Sequence, residues 1–394
     1  DFDSVVSNDM EQFVEFMAQD DWNEAIYSQL LQMCWKDQIN LIEFRNKDKV
    51  VIINKKINTS LRDNFRKLMN FYNKLFTKDE GYFFISSYLP INTEFSLQLR
   101  LGQLPIFHKS PVTPNSNPNI SEREWRLEIT DNNTKSFETI LRLMIPQHIP
   151  TSYLEGYKDL VCLTKQVPWP TKPKAIFTSI SYSSDDVFKA WAAQKTENGA
   201  PLIISQHGGH FGMSPFSFHE EHQIEISDNW ISWGWEDQKR TQIIPFGNTT
   251  NIGINIKHEP TGGALMVDMA ISRYSNHMSA FPTSSQWLDY FDEQKRFLKA
   301  LPIELRKQVV VRLKGDYGWD QLDRWRDQFP EVVIDKGHKR ITEQIRKNRL
   351  YIATYNATVY LDLFVWNIPT LIFWKPEHWE INDNSMPYFD ILKS

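Results

Sequence analysis

Short apolar runs alternate with segments of helical period along most of this chain, which is the pattern of an α/β protein. Residues 1–48 are mostly helical in pattern. Residues 50–54, 82–88 and 105–108 read as strands, and residues 61–76 as an amphipathic helix. Residues 109–134 are rich in Pro, Asn, Ser and Thr and read as a surface loop or hairpin. Helices are expected at 136–143 and 152–163, and a strand at 175–179. Ser184 opens a helix that runs to Thr196, with Asp185 and Asp186 suiting its positive end. Strands follow at 200–205 and 230–233, with a helix-like segment between them. Residues 245–263, with Gly, Asn, Thr and Pro, read as a linker. Beyond it come strands at 264–269, 309–313, 332–334, 350–353 and 370–373. Helices at 286–301, 319–329, 341–347 and 358–366 separate them. Alternation on both sides of one linker predicts two Rossmann-type, doubly wound domains facing a cleft, residues 1–255 and 256–394.

Composition narrows the class. The 394 residues exceed what one core usually supports. A net charge of −5 argues against a dedicated nucleic-acid binder. Cys34 and Cys162 form neither a disulfide framework nor a CxxC signature, which fits a reducing compartment. No run of 18 apolar residues occurs, and the opening Asp1-Phe2-Asp3-Ser4 is no signal peptide, so a cytoplasmic location is expected. The absence of an initiator Met suggests one module of a larger multidomain protein. Aromatic residues reach 13%, with 14 Trp. Such rings stack on sugars and bases, and they equally fill cores.

Chemistry concentrates at two strand ends. The first is Gln206-His207-Gly208-Gly209-His210-Phe211-Gly212, directly after the strand at 200–205. Open α/β sheets bind ligands at the C-terminal ends of their strands, and glycines let backbone N–H groups approach closely. Asp228 stands where the next strand begins, and the two ends are expected to share one active-site wall. The second centre is the stretch from Thr354 to Asp362. Asn356, Thr358 and the free N–H groups of the helix start suit a phosphate. Asp362, four residues after Thr358, suits ribose hydroxyls, or else it is a plain surface acid. Arg312 and Lys314 alternate at a further strand end and suit an anion.

Taken together, the two-domain layout, the Gln206-His207-Gly208 turn and the Thr358/Asp362 helix followed by Asn367-Ile368-Pro369 resemble GT-B glycosyltransferases. More narrowly, residues 205–235 are similar to the retaining β-Kdo transferases of bacterial surface polysaccharide synthesis. The resemblance runs from about residue 150 to residue 379. It implies a donor, CMP-β-Kdo, bound by the C-terminal domain, and an acceptor site with catalytic carboxylates in the N-terminal domain. Those carboxylates fall on Asp228 as nucleophile and Glu155 as base, for a double displacement. The acceptor implied is a saccharide of a lipid-linked O-polysaccharide. The enzyme would then sit peripherally at the inner face of the inner membrane and need no cofactor.

Gln206, Gly208 and His210 are the donor contacts expected from the turn. His207 and His258 are candidate proton carriers near neutral pH. A metal reading also exists, because His207, His210, His219 and His222 fall within 16 residues. The spacing His219-Glu220-Glu221-His222 departs from the metalloprotease pattern by one position, and no metal is expected. The alternatives to a transferase are a nucleotide-sugar epimerase or hydrolase on the same fold, and a metal-dependent hydrolase using the histidines.

Overall fold

The computed structural model describes residues 6–35, 72–73, 75–128, 136–274, 282–315 and 317–393. The strand expected at 50–54 and nearly all of the helix expected at 61–76 lie outside the described residues.

Ten strands are present among the described residues: β1 (Tyr82–Ile85), β2 (Ala175–Thr178), β3 (Leu202–Ser205), β4 (Asn229–Ser232), β5 (Ile243–Pro245), β6 (Gly263–Val267), β7 (Val309–Arg312), β8 (Val333–Asp335), β9 (Asn348–Ala353) and β10 (Thr370–Ile372). They form two parallel, five-stranded sheets in the orders β1-β2-β3-β4-β5 and β10-β9-β6-β7-β8. Helices flank both, so the expected pair of Rossmann-type sheets of a GT-B-like chain is present. By compactness the chain forms two units. One is Asp1–Ser86 with Leu97–Leu202, and the other is Ser87–Ser96 with Ile203–Ser394.

In the first unit β1 pairs with β2, from Tyr82 against Ala175 to Ile85 against Thr178. Phe83 is fully buried against Trp169 and Trp191, with ring centroids 5.0 and 4.5 Å away. The helix Asp186–Glu197 starts one residue later than Ser184 would place it. Asp185 is its cap, accepting from the Phe188 N–H, because a carboxylate satisfies an orphan donor there. Asp186 is buried and ties three segments together. It accepts from the Met10 N–H, Ser152 Oγ and Tyr153 Oη, and pairs with Lys189 at 2.8 Å. The strand expected at 105–108 shrinks to a single bridge between Ile85 and His108.

The second unit holds the whole second sheet. Its central strand alternates faces, as a strand must. Met266 joins Val309, Val311 and Ile352 against Trp287, Phe291, Leu298 and Trp325 of two helices, Trp287–Ala300 and Gln321–Gln328. Leu265 and Val267 join Tyr351 and Ala353 against Ile345, Tyr360 and Leu363 of the helices Ile341–Ile345 and Thr358–Val365. The chain winds outward from β6 through β7 to β8, then returns to the other side of β6 as β9 and β10. That is the Rossmann order, with its reversal between β6 and β9, where Val267 faces Ala353.

Two features escaped the pattern. β5 was not expected; it runs up to the expected linker and overlaps it only at Pro245, which is tolerated because β5 is an edge strand. The helices Ile91–Arg100 and Met386–Lys393 were not anticipated.

A carboxyl is buried at the reversal. Asp268, fully buried, follows β6 and accepts from Trp325 Nε1 (2.9 Å) and Gln321 Nε2 (3.1 Å). Beside it, Tyr290 accepts from the Met269 N–H and bonds to Thr354, whose hydroxyl donates to the Val267 carbonyl. Burial lifts the Asp268 pKa from 3.8 to about 6, against the opposing pull of its hydrogen bonds. A folded-state pKa above the unfolded one means stability that is full below 3.8 and lost as pH rises through 6. Asp268→Asn should therefore flatten the pH dependence of urea unfolding across that window. Asp268→Leu leaves the Trp325 N–H without an acceptor and should cost about 1–3 kcal/mol at every pH.

Candidate functional site

The turn after β3 is held by hydrogen bonds from several segments of the second unit. Gln206 lies at the end of β3 and is buried. Its Nε2 donates to the Gly208 carbonyl at 2.7 Å. Its Oε1 accepts from the Trp233 backbone N–H at 2.8 Å and from Trp235 Nε1 at 3.0 Å. Its own carbonyl accepts from Trp233 Nε1. The amide therefore locks the turn to the end of β4.

Gly209 donates its N–H to Thr358 Oγ1 at 3.2 Å. A Cβ at Gly209 would lie 2.7 Å from the Ala357 oxygen and 2.9 Å from Thr358 Cα. Only glycine lets this backbone lie against the start of the helix Thr358–Val365. At the far end of the turn Gly212 has φ +77°. Its N–H donates to Glu220 at 2.6 Å, and its carbonyl accepts from Asn382 Nδ2 (2.9 Å) and Ser385 Oγ (3.0 Å). Asn382 also donates its backbone N–H to the Met213 carbonyl.

His207 and His210 are half-buried on this frame. The His207 ring neighbours those of Tyr88 and Phe211, at 5.9 and 5.4 Å, and His210 packs on Phe211 at 4.2 Å. Tyr88 itself has a left-handed backbone, φ 54°, which is costly for an aromatic residue. Glu220 belongs to the helix Phe218–Glu225. Burial raises its pKa from 4.5 to about 7; Gly212 and Arg240 oppose that, and Glu221 and Asp237 add to it. A carboxyl tuned there can hold or release a proton at neutral pH.

The end of β9 meets this turn. Asn356 is buried and accepts from Tyr360 Oη at 2.8 Å. Thr358 is the partner of Gly209. Asp362 accepts from Asn248 at 2.9 Å and Asn251 at 2.5 Å, which fastens the chain after β5 to this helix. Burial raises the Asp362 pKa, and the two amides hold it back.

Arg312 ends β7 and forms an ion pair with Asp335 at the end of β8. Its Nη2 donates to the Lys339 carbonyl at 2.7 Å. Lys314, just beyond, is exposed.

Three expected residues stand elsewhere. β3 and β4 run parallel, with Ile203 against Asn229 and Ser205 against Ile231. The end of β3 and the beginning of β4 are thus at opposite edges of the sheet. Asp228, exposed before β4, does not share a wall with the 206–210 turn; Trp233 and Trp235, past the end of β4, do. His258 lies in the loop before β6, and no contact ties it to the 206–210 turn among the described residues. Glu155 belongs to the first unit, where Arg123 grips both its oxygens at 2.6 and 2.7 Å and the Asn119 N–H adds a third bond. Burial pushes its pKa up, and these bonds outweigh it and hold the carboxyl below the usual range.

Among the described residues no group of three or more His, Cys, Asp or Glu is arranged to hold a metal ion. His222 instead stacks on Phe218. No helix among the described residues is long and apolar enough to cross a membrane.

Sequence reading missed Glu220 as a turn anchor, and also Asn382 and Ser385. No local signal marks the last two, because they act across 170 and 173 residues of chain. Gly209→Ala tests the frame. The new methyl should push the turn off the helix and cost about 1–3 kcal/mol. Chemical denaturation would measure the loss, and hydrogen exchange should quicken at residues 206–214 while β6 and β9 stay protected.

No curated protein matches the chain. One family model does, from residue 2 to residue 394, and it describes transferases. Its match spans both Rossmann-type sheets and the held turn, and the chain belongs to the LIC12162 family of transferases.

Proposed function

We propose that this transferase is a retaining glycosyltransferase of GT-B type. It moves β-Kdo from CMP-β-Kdo to a saccharide of a lipid-linked O-polysaccharide, at the inner face of the bacterial inner membrane. The observation that carries the nucleotide part is the strand order of the second sheet. The reversal between β6 and β9 is the switch point beside which Rossmann-type sheets form a crevice that takes nucleotides at the C-terminal strand ends. The identity of the sugar rests on the likeness of residues 205–235 to β-Kdo transferases.

In this reading the cytidine phosphate lies along the C-terminal edge of the second sheet. The held turn with His207 and His210 lines the sugar side, and Thr358 fixes where that turn stands. Retention by double displacement needs a carboxylate nucleophile and a second group to take the acceptor proton. The resemblance implies Asp228 as nucleophile, but its place before the start of β4, at the opposite edge of the sheet from the held turn, does not support that role. Glu220, with its pKa near 7 and its bond to Gly212, supports the proton-handling role better than Glu155, whose charge is committed to Arg123. CMP is a good leaving group, so neutralising its phosphate matters more than protonating it.

The test is direct. Purified protein given CMP-Kdo should release CMP only when a short acceptor glycan is present, and exhaustive EDTA treatment should leave the rate unchanged. Release without acceptor would point to a donor hydrolase, and loss of activity to EDTA, restored by a divalent ion, to the histidine-based metal enzyme. Glu220→Gln keeps an oxygen for Gly212 but cannot carry a proton. Its turnover should fall about 10²-fold or more, with CMP affinity intact.

A further inference from the structure

Beyond the crevice at β6 and β9, a basic surface stands on the loops after β7 and β8. Residues 336–340 read Lys336-Gly337-His338-Lys339-Arg340, and Lys314 follows β7. The side chains of Lys314, Lys336, Lys339 and Arg340 are all exposed. Among the described residues none of the four makes an ion pair. On a chain of net charge −5, four exposed cations on two neighbouring loops are not what solubility requires.

The two loops are built together. Gly337 has φ +77°, and a Cβ there would collide with the Leu313 carbonyl oxygen and lie 3.7 Å from Lys314 Cα. Leu313 donates its N–H to the Asp335 carbonyl at 2.9 Å. Arg312 pairs through Nη1 with Asp335, and its Nη2 donates to the Lys339 and Gly337 carbonyls. The Gly337 N–H takes the other Asp335 oxygen at 3.1 Å. The one acid at this edge that these contacts include is therefore neutralised, and the carbonyls of the basic loop are turned inward. Lys314, Lys336, Lys339 and Arg340 are exposed on these loops, with Asp320 exposed at the far end of the loop after β7. The other basic surface of this unit differs. On the helix Trp287–Ala300, Lys295 pairs with Asp292 and Arg296 with Glu293, and the adjacent Lys375 pairs with Asp289.

We infer that Lys314, Lys336, Lys339 and Arg340 form a phosphate-binding site on the β7–β8 loops. Three ammonium groups and one forked guanidinium on two loops packed together suit a phosphate, whose oxygens accept from many directions. The phosphate belongs either to a nucleotide reaching across from the β6–β9 crevice or to the headgroup of a lipid-linked substrate. The site stands whether or not the donor is CMP-Kdo.

The experiment compares wild-type protein with Lys336→Ala/Lys339→Ala and with Lys314→Ala. Lys299→Ala, on the other basic surface, is the control. One arm measures CMP and inorganic pyrophosphate by calorimetry. The second measures co-sedimentation with phosphatidylglycerol vesicles against phosphatidylcholine vesicles. Circular dichroism checks that each variant is folded. We expect the double variant to lose about tenfold or more in affinity, Lys314→Ala a smaller factor, and Lys299→Ala nothing. The wild-type interaction should weaken with salt, and the variants less so. A loss confined to calorimetry assigns the site to a nucleotide phosphate, and one confined to vesicles to a lipid phosphate. If the wild type ignores CMP yet binds pyrophosphate or vesicles through these lysines, the CMP donor falls and the site stands. Equal affinities of wild type and double variant in both arms, or no phosphate binding by the wild type in either, would overturn it.

Discussion

The arrangement of the second unit depends on a missing side chain. Gly209 brings the turn after β3 to within bonding distance of Thr358, and any Cβ would occupy the space of the Ala357 carbonyl. Through that contact the end of a strand in the first sheet is fixed against the end of a strand in the second. The Asp362 clasp on Asn248 and Asn251 reinforces it from another direction. The two strand ends that carry the chain's polar chemistry are thereby held in one compact body rather than merely expected to meet.

Much of the fold was legible because parallel strands buried on both faces are short apolar runs. Residues 202–205, 263–267 and 348–353 have nowhere to be except a sheet interior, and their spacing leaves room only for crossover helices. The helix at Thr358–Val365 and the strand before it stand nearly where periodicity put them. β5 was not legible, since three residues ending in Pro look like a linker. What distinguishes it is a partner, Trp230 against Ile243, and pairing is not written locally.

The candidate site was legible in type and less so in detail. Glycines after a buried strand announced a turn at the end of that strand, and the turn is there. The positions of charges depended on which edge of a sheet a residue occupies. Asp228 is close to His207 in sequence, but parallel pairing sends a strand's beginning and its neighbour's end in opposite directions. Arg312 looked like a free cation at a strand end, and its partner Asp335 lies 23 residues away on the next strand. Residue type predicted chemistry well; the assignment of that chemistry to ligand or to scaffold needed the tertiary structure.

The bonds that hold the 206–214 turn span very different lengths of chain. Gln206 reaches Trp235 over 29 residues, Gly209 reaches Thr358 over 149, and Asn382 reaches back to Gly212 over 170. Contacts of such separation carry a loop-closure cost that is repaid only after the intervening elements have formed. Both sheets can therefore assemble before the turn acquires its shape. The order of folding then leaves this turn as the last element to become rigid, and during synthesis it waits for a segment made long after its own.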